Sequence, residues 1–241
     1  MEKGRQKKIL ITGSSHGIGR AAAEVFLEAG WEVFGCGSNR VDRRGEEMAK
    51  QNGGFHFRYA DVSDESEVRE LLEWCGPIYA AFNNAGIGCE AQAVHLLDGA
   101  VARRILEVNL LGTAFCMKHE CIAMEAAGGV IVNNSSVAAY KAGTGAGLAY
   151  SASKAGILRM TAEAAVCREY RDKIKFFSVI PGFIETRMTA ADDKEEWKRK
   201  LPLGRAETPQ QAAWLVYQIV TSKDAFDSGQ EFHVNGGGSL L

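Results

Sequence analysis

The stretch KILITGSSHGIGRAAAEVFLEAG, residues 8–30, confines the fold more than any other part of the chain. A short aliphatic run ends in a turn with glycines at 13, 17 and 19, and an alanine-rich run at helical spacing follows. A strand that passes through a tight turn into a helix begins a β-α-β unit, and right-handed crossover commits the next strand to the same sheet. The rest of the 241 residues repeats this order. Apolar runs at 31–37, 55–60, 79–83, 129–134, 174–180 and 231–237 predict strands. Helical patterns at 43–52, 66–75, 98–126, 149–171 and 209–221 lie between them. Continuously apolar strands separated by helices predict an α/β fold, a doubly wound parallel seven-stranded Rossmann-type sheet with helices on both faces.

No Pro/Ser-rich linker, repeat or low-complexity tract divides the chain, so one domain over 1–241 is expected, with a substrate loop near 183–208. Hydrophobic residues at 46% are enough for a real core. A net charge of −2 gives no reason to expect nucleic acid or an anionic membrane as partner. No apolar run approaches the ~18 residues of a membrane span, and the basic N-terminus lacks the apolar run of a signal peptide. The cysteines at 36, 75, 89, 116, 121 and 167 form no C-x-x-C pair. They read as buried thiols in a reducing compartment, with no metal site, and a cytoplasmic location is expected.

The turn itself suggests chemistry. Gly13, Gly17 and Gly19, with Ser15, His16 and Ile18 between them, let the backbone approach a bound group closely. The helix that follows offers free N–H donors and a positive dipole to a pyrophosphate. About 20 residues on, the second strand ends in GCGSNRVDRR. Gly37 stands where an acid would accept the hydroxyls of an adenosine ribose. Ser38, Asn39 and Arg40 follow, with Arg43 and Arg44 beyond, and these groups suit a phosphate. His16 adds a donor. NADP(H) is therefore favoured over NAD(H), although Asp42, if it reached the ribose, would restore NAD(H).

In AYSASKAG, Tyr150 precedes Lys154 by four positions, one turn apart on a helix. An ordinary tyrosine, with a pKa near 10, is a poor base and a slow acid. A neighbouring ammonium favours the phenolate, which would tune Tyr150 for proton transfer at a carbonyl or hydroxyl oxygen.

Five motifs stand at matching strand ends: TGSSHGIG, NNAG at 83–86, Asn109 in EVNLLG, NNSS at 133–136 before Tyr150 and Lys154, and PGFIET at 181–186. Together they resemble the classical short-chain dehydrogenases/reductases over residues 8–238. The resemblance implies an NAD(P)-dependent oxidoreductase with Tyr150 as acid/base. Lys154 would lower its pKa and bond the nicotinamide ribose. Ser136, or alternatively Ser135, would hold the substrate oxygen. Asn109 would sit at a break in the long helix and anchor a relay water. By the same resemblance Asp61 and Val62 meet the adenine, and Asn83, Ala85 and Gly86 line the adenosine side. Pro181, Gly182, Ile184 and Thr186 wrap the nicotinamide amide.

The stretch 181–210 is similar to the β-ketoacyl-carrier-protein reductases of that family, which dock an acidic carrier on basic flanks. Here one flank carries Arg168, Arg171 and Lys173, but the other, MEAAGG, carries no base. A free small-molecule ketone or hydroxy compound is an equal expectation. Val137, Ala138, Gly182, Met188 and Trp197 are candidate pocket residues. The resemblance also implies a homo-oligomer, a dimer or tetramer, paired through the long helices.

Overall fold

The computed structural model describes residues 7–238 apart from 90, 187–188, 190–194, 196–198 and 200. Its centre is a fully parallel seven-stranded sheet, in the order β3-β2-β1-β4-β5-β6-β7. The strands are β1 (Lys8–Thr12), β2 (Glu32–Gly37), β3 (Phe55–Tyr59), β4 (Ala80–Asn83), β5 (Gly129–Asn134), β6 (Ile174–Pro181) and β7 (Glu231–Val234). The strand order reverses between β1 and β4, which opens a crevice at the carboxyl edge.

Adjacent β1 residues feed opposite cores. Ile9 and Ile11 pack with α1 (Gly17–Glu28) and α7 (Pro209–Thr221). Leu10 faces the other layer, with α3 (Glu65–Cys75) and α5 (Gly112–Met124). This two-sided burial is why the strands read as unbroken apolar runs. The short α2 (Arg44–Gln51) covers the outer strands, burying Met48. Asp64 caps α3 by accepting from the N–H groups of Ser66 and Glu67. Thr208 and Gln211 form a capping box at α7, with Pro209 in its first turn.

Three element boundaries differ from the sequence reading. The expected helix over 98–126 is α4 (Gly99–Leu106), a π-helical turn (Glu107–Leu111) and then α5. The helix expected to reach 171 is α6 (Leu148–Val166). Cys167 turns to an extended conformation, and consecutive turns over 167–173 redirect the chain into β6. The seventh strand stops at Val234, because Gly236 and Gly237 take φ of 58° and 81°. Two cysteines also depart from expectation. Cys89, in the loop after β4, and Cys167, at the end of α6, are partly exposed. The other four are buried, and burial pushes Cys36 and Cys121 up to about 12.

The turn after β1 is a packed structure. Gly13 has φ of 66°, and a Cβ there would lie 2.9 Å from Cα of Ala85. Gly13→Val should therefore cost at least about 2 kcal/mol, from left-handed strain and overpacking together. Urea melts of the variant and the parent will measure it.

Candidate active site

A cleft of about 620 Å³ opens at the carboxyl edge of β1, β2, β4, β5 and β6. The glycine turn forms its floor. Asn84 holds that turn against the strand ends. Its Nδ2 donates to the carbonyls of Thr12 (3.1 Å) and Gly13 (3.2 Å), and its Oδ1 accepts from Asn134 Nδ2 (3.0 Å). Thr12 Oγ1 accepts from the backbone N–H groups of Asn84 and Ala85, both at 3.0 Å. A Cβ at Gly19 would sit 2.3 Å from the Gly13 carbonyl oxygen, so α1 can begin this close to β1 only with glycine there.

The structure gathers most of the expected residues in this one cleft. Gly13, Ser15, His16, Gly17, Ile18, Ser38, Asn39, Asp61, Val62, Ala85 and Gly86 line one end. Ser136, Tyr150, Lys154, Pro181, Gly182, Ile184 and Thr186 line the other. Gly19 lies beneath the turn. Arg40 is exposed and stands outside the lining, its guanidinium over the Tyr59 ring at 5.6 Å from the centroid. Asn83 is buried on the far side of β4, where its Nδ2 donates to Glu120 Oε2 and Asn133 Oδ1, both at 3.0 Å. Asn84 takes the cleft-facing place expected for it. Alternation along a strand allows one asparagine of the pair to face each side, but the sequence does not say which.

The fit to an extended dinucleotide rests on this shape. Gly17 faces Thr186, whose methyl would lie 3.3 Å from a Cβ at 17. Gly182 sits against Asn235, where a Cβ would come within 2.6 Å. The α1 N-terminus, with the N–H groups of its first turn, would hold a pyrophosphate. Asp61 is already well partnered. Its Oδ1 accepts from Ser63 N and Oγ, and its Oδ2 from Arg104 Nη2 at 2.6 Å. Burial pushes its pKa up, but the Ser63 and Arg104 bonds outweigh burial and leave it lowered.

The other end holds the proton-handling groups. Tyr150 and Lys154 lie on the first turns of α6. Lys154 is 3% exposed, and burial lowers its pKa to about 8. Its Nζ donates to the Asn134 carbonyl at 2.7 Å and lies 5.6 Å from the Tyr150 ring centroid. The tuning expected from Lys154 is therefore not the main influence on this phenol. Burial raises Tyr150, and a side-chain hydrogen bond with Ser136 offsets part of that. The two serines divide their roles. Ser135 Oγ donates to the Lys154 carbonyl at 2.8 Å, while Ser136 Oγ accepts from Ala138 N at 3.2 Å and bonds Tyr150.

Asn109 lies behind this wall, in the π-helical turn. Its side chain pairs with the Ile87 backbone in both directions at 2.9 Å and donates to Ser153 Oγ at 3.1 Å. Ser153 Oγ in turn donates to the Tyr150 carbonyl at 2.7 Å. Thr12 and Asn84 stand inside the TGSSHGIG and NNAG motifs and Ser153 beside Lys154, but no role for their side chains can be read from the sequence, because short polar residues near turns and helix starts give no periodic signal.

The base of the expected substrate loop is pinned by an isolated parallel bridge between Ile184 and Glu207. Val137 and Ala138 form the buried turn after Ser136. Met188 and Trp197 lie outside the described residues. Arg168, Arg171 and Lys173 precede β6, at the sheet edge opposite the cleft of the same chain. No described helix is long and apolar enough to cross a membrane, and no metal-ligand cluster occurs among the described residues.

Residues 7–197 match the family model described as short chain dehydrogenase. The chain is 34% identical to the 3-oxoacyl-[acyl-carrier-protein] reductase FabG of Aquifex aeolicus (strain VF5), over 98% of this chain and 99% of that protein. It is 31% identical to the NADP-dependent (R)-specific alcohol dehydrogenase of Lentilactobacillus kefiri, over 96% of each. Among solved structures, a short chain dehydrogenase/reductase family protein superposes with a TM-score of 0.87 at 30% identity, covering 97% of both chains. The fold, the site and these relatives agree: the chain belongs to the short chain dehydrogenase family, oxidoreductases acting on CH–OH and C=O groups.

Proposed function

We propose that the chain is a cytoplasmic, NADP(H)-dependent carbonyl reductase and secondary alcohol dehydrogenase with Tyr150 as its general acid/base. One observation carries the reading: Tyr150, Ser136 and the buried Lys154 share one wall of the cleft whose far end is the glycine turn. A bound nicotinamide supplies or takes up the hydride. In reduction the phenol hydroxyl of Tyr150 gives its proton to the substrate oxygen, and in oxidation it takes one back. Ser136 holds that oxygen and the phenol in one hydrogen-bonded line. Lys154, tied to the Asn134 carbonyl, presents a cation to the nicotinamide ribose. A pKa above the usual tyrosine value keeps the phenol protonated at neutral pH, which is the form that reduction needs.

The preference for NADP(H) rests on Gly37, where no carboxylate ends β2, and on His16, Ser38 and Asn39 in the lining. A second reading, an NAD(H)-dependent alcohol dehydrogenase working oxidatively, draws on Asp42, whose carboxylate also lines the cleft. A small ketone or hydroxy compound can enter the cleft directly, whereas Arg168, Arg171 and Lys173 could dock an acidic carrier only for the cleft of a neighbouring subunit. Exposed Val101, Leu111 and Leu148 on the helical faces support self-association as a dimer or tetramer, which light scattering will read.

The deciding experiment is absorbance at 340 nm with NADPH or NADH and a panel of ketones. Loss of absorbance with at least one ketone, faster with NADPH, is the expected result. Tight NADPH binding with no turnover of any ketone would instead favour a non-catalytic sensor. Ser136→Ala should lower kcat/KM by about 10²-fold and move the alkaline limb of the pH–rate profile to higher pH. The sign follows from the lost hydrogen bond, which in the parent lowers the Tyr150 pKa. Loss of the Lys154 cation near 8 is common to parent and variant, so the limb to follow is the phenol's above it, and that limb unmoved would remove Ser136 from the phenol.

A further inference from the structure

We propose that Asn134 is a positioning residue: its carboxamide, acting through Asn84, holds the glycine turn in the shape that takes a pyrophosphate. The proposal rests on the dinucleotide reading above and concerns what supports the turn.

β4 and β5 run in register, with Asn83 opposite Asn133. Those two face the layer of α5, joined to each other at 3.0 Å and through Asn83 to Glu120. One residue on, alternation turns Asn84 and Asn134 to the cleft, which both line. Asn134 Nδ2 donates to Asn84 Oδ1 at 3.0 Å. Asn84 Nδ2 is spent on the carbonyls of Thr12 and Gly13, at 3.1 and 3.2 Å. A carbonyl only accepts, so Asn84 must keep its nitrogen toward the turn and its oxygen toward Asn134. Its carboxamide fills the space that two glycines leave. A Cβ at Gly13 would lie 3.1 Å from Asn84 Nδ2, and one at Gly19 would lie 2.5 Å from it.

The polarity of this chain of amides is thus fixed from the turn outward, and it ends on Asn134 Oδ1. That atom is buried and has no partner among the described residues, and Asn134 is 8% exposed. A buried acceptor without a partner is costly, and an apolar side chain of similar size would avoid it. What the amide contributes is therefore the Nδ2 bond. Without it the Asn84 carboxamide is free to turn away from the Thr12 and Gly13 carbonyls. The main-chain carbonyl of Asn134 accepts from Lys154 Nζ at 2.7 Å. One residue at the end of β5 therefore braces the glycine turn with its side chain and the lysine with its backbone.

The test compares the parent, Asn134→Leu, Asn84→Ala and the double variant. Leucine keeps the volume and the backbone carbonyl, and removes the donor together with the unpaired acceptor. NADPH binding is followed by nicotinamide fluorescence, and ADP, which has a pyrophosphate but no nicotinamide, by its displacement of NADPH. Asn134→Leu should weaken both ligands about fivefold, the effect of one neutral hydrogen bond, with the number of sites unchanged. The double variant should bind no more weakly than Asn84→Ala, because the two residues act on one turn. In turnover the loss should fall on the KM for NADPH and not on kcat. A merely structural role would do the reverse, lowering the number of sites and kcat while leaving affinity alone, and that result overturns the proposal. Additive losses in the double variant overturn it too, as does NADPH weakened with ADP untouched, which would place Oδ1 against the nicotinamide half. If Asn134→Leu fails to fold, Asn134→Ser, too short to reach Asn84, must weaken both ligands, and parent-like affinity overturns the proposal. A parent that binds neither NADPH nor ADP defeats the functional reading itself, whereas a parent that binds them as Asn134→Leu does defeats only the role of Asn134.

Discussion

Tyr150→Phe is expected to lower kcat/KM for ketone reduction by about 10³-fold while NADPH binding stays within about twofold. The change removes one oxygen and keeps the ring, so the cleft wall and the start of α6 retain their packing. The cofactor side does not depend on that oxygen. Lys154 is fixed by the Asn134 carbonyl, and the glycine turn by Asn84 and Thr12. What disappears is the proton donor in line with Ser136. Water can enter in its place, but it is unpositioned, and positioned proton transfer contributes roughly 10²–10⁴ in rate. Steady-state kinetics with NADPH titration of the same preparation separates the two effects. Parent-like turnover in the variant would remove Tyr150 from the chemistry, and lost NADPH binding would make its role structural.

The strands and the nucleotide turn were legible because each obeys a local rule. Parallel strands buried on both faces carry unbroken apolar stretches, as in VIV at 130–132 and FF at 176–177. A strand-turn-helix around a phosphate needs glycine where backbones meet, as at Gly13 and Gly19. Tyr150 and Lys154 were legible because helical spacing places them on one face. What stayed hidden depends on contacts between distant segments. Apolar periodicity runs unbroken through the π-helical turn, so the break at Asn109 was expected from the family resemblance and not from the pattern, and the Asn109–Ile87 pairing shows what holds it. The direction of Lys154 Nζ depends on a carbonyl twenty positions away. Arg40 has the right charge for a phosphate, but the loop carries its guanidinium onto Tyr59 and brings Asp42 inward instead. Charge type is written in the sequence, whereas the direction of a loop side chain is decided by the backbone bonds that fold the loop.

Glu120 is the other hidden group, and it makes stability depend on pH. It sits on α5 with no exposure, accepts from Asn83 at 3.0 Å through Oε2, and has no partner for Oε1. Burial pushes it up to about 8 from 4.5, with the Asn83 bond pulling the other way. The folded protein therefore holds this proton over a range where the unfolded chain has released it. Stability falls as pH rises from about 4.5 to about 8, at roughly 1.4 kcal/mol per pH unit from this group alone. Lys154 acts in a different window. Its folded value near 8 lies below 10.5, so its contribution rises with pH only above about 8. Carboxyls such as Asp61, lowered in the fold, lose stability only at the acid end. Glu231 is also raised by burial and adds to the slope in the same direction, so the share of Glu120 is the difference between the parent and a variant that lacks this ionisation. Glu120→Gln removes the ionisation, keeps an acceptor for Asn83, and brings an N–H donor into a site where Asn83 Oδ1 has none. Urea melts should show the parent losing about 3 kcal/mol between pH 5.5 and 8 relative to the variant. Parallel stability curves for the two proteins would mean that Glu120 is ionised in the core, or that water reaches it.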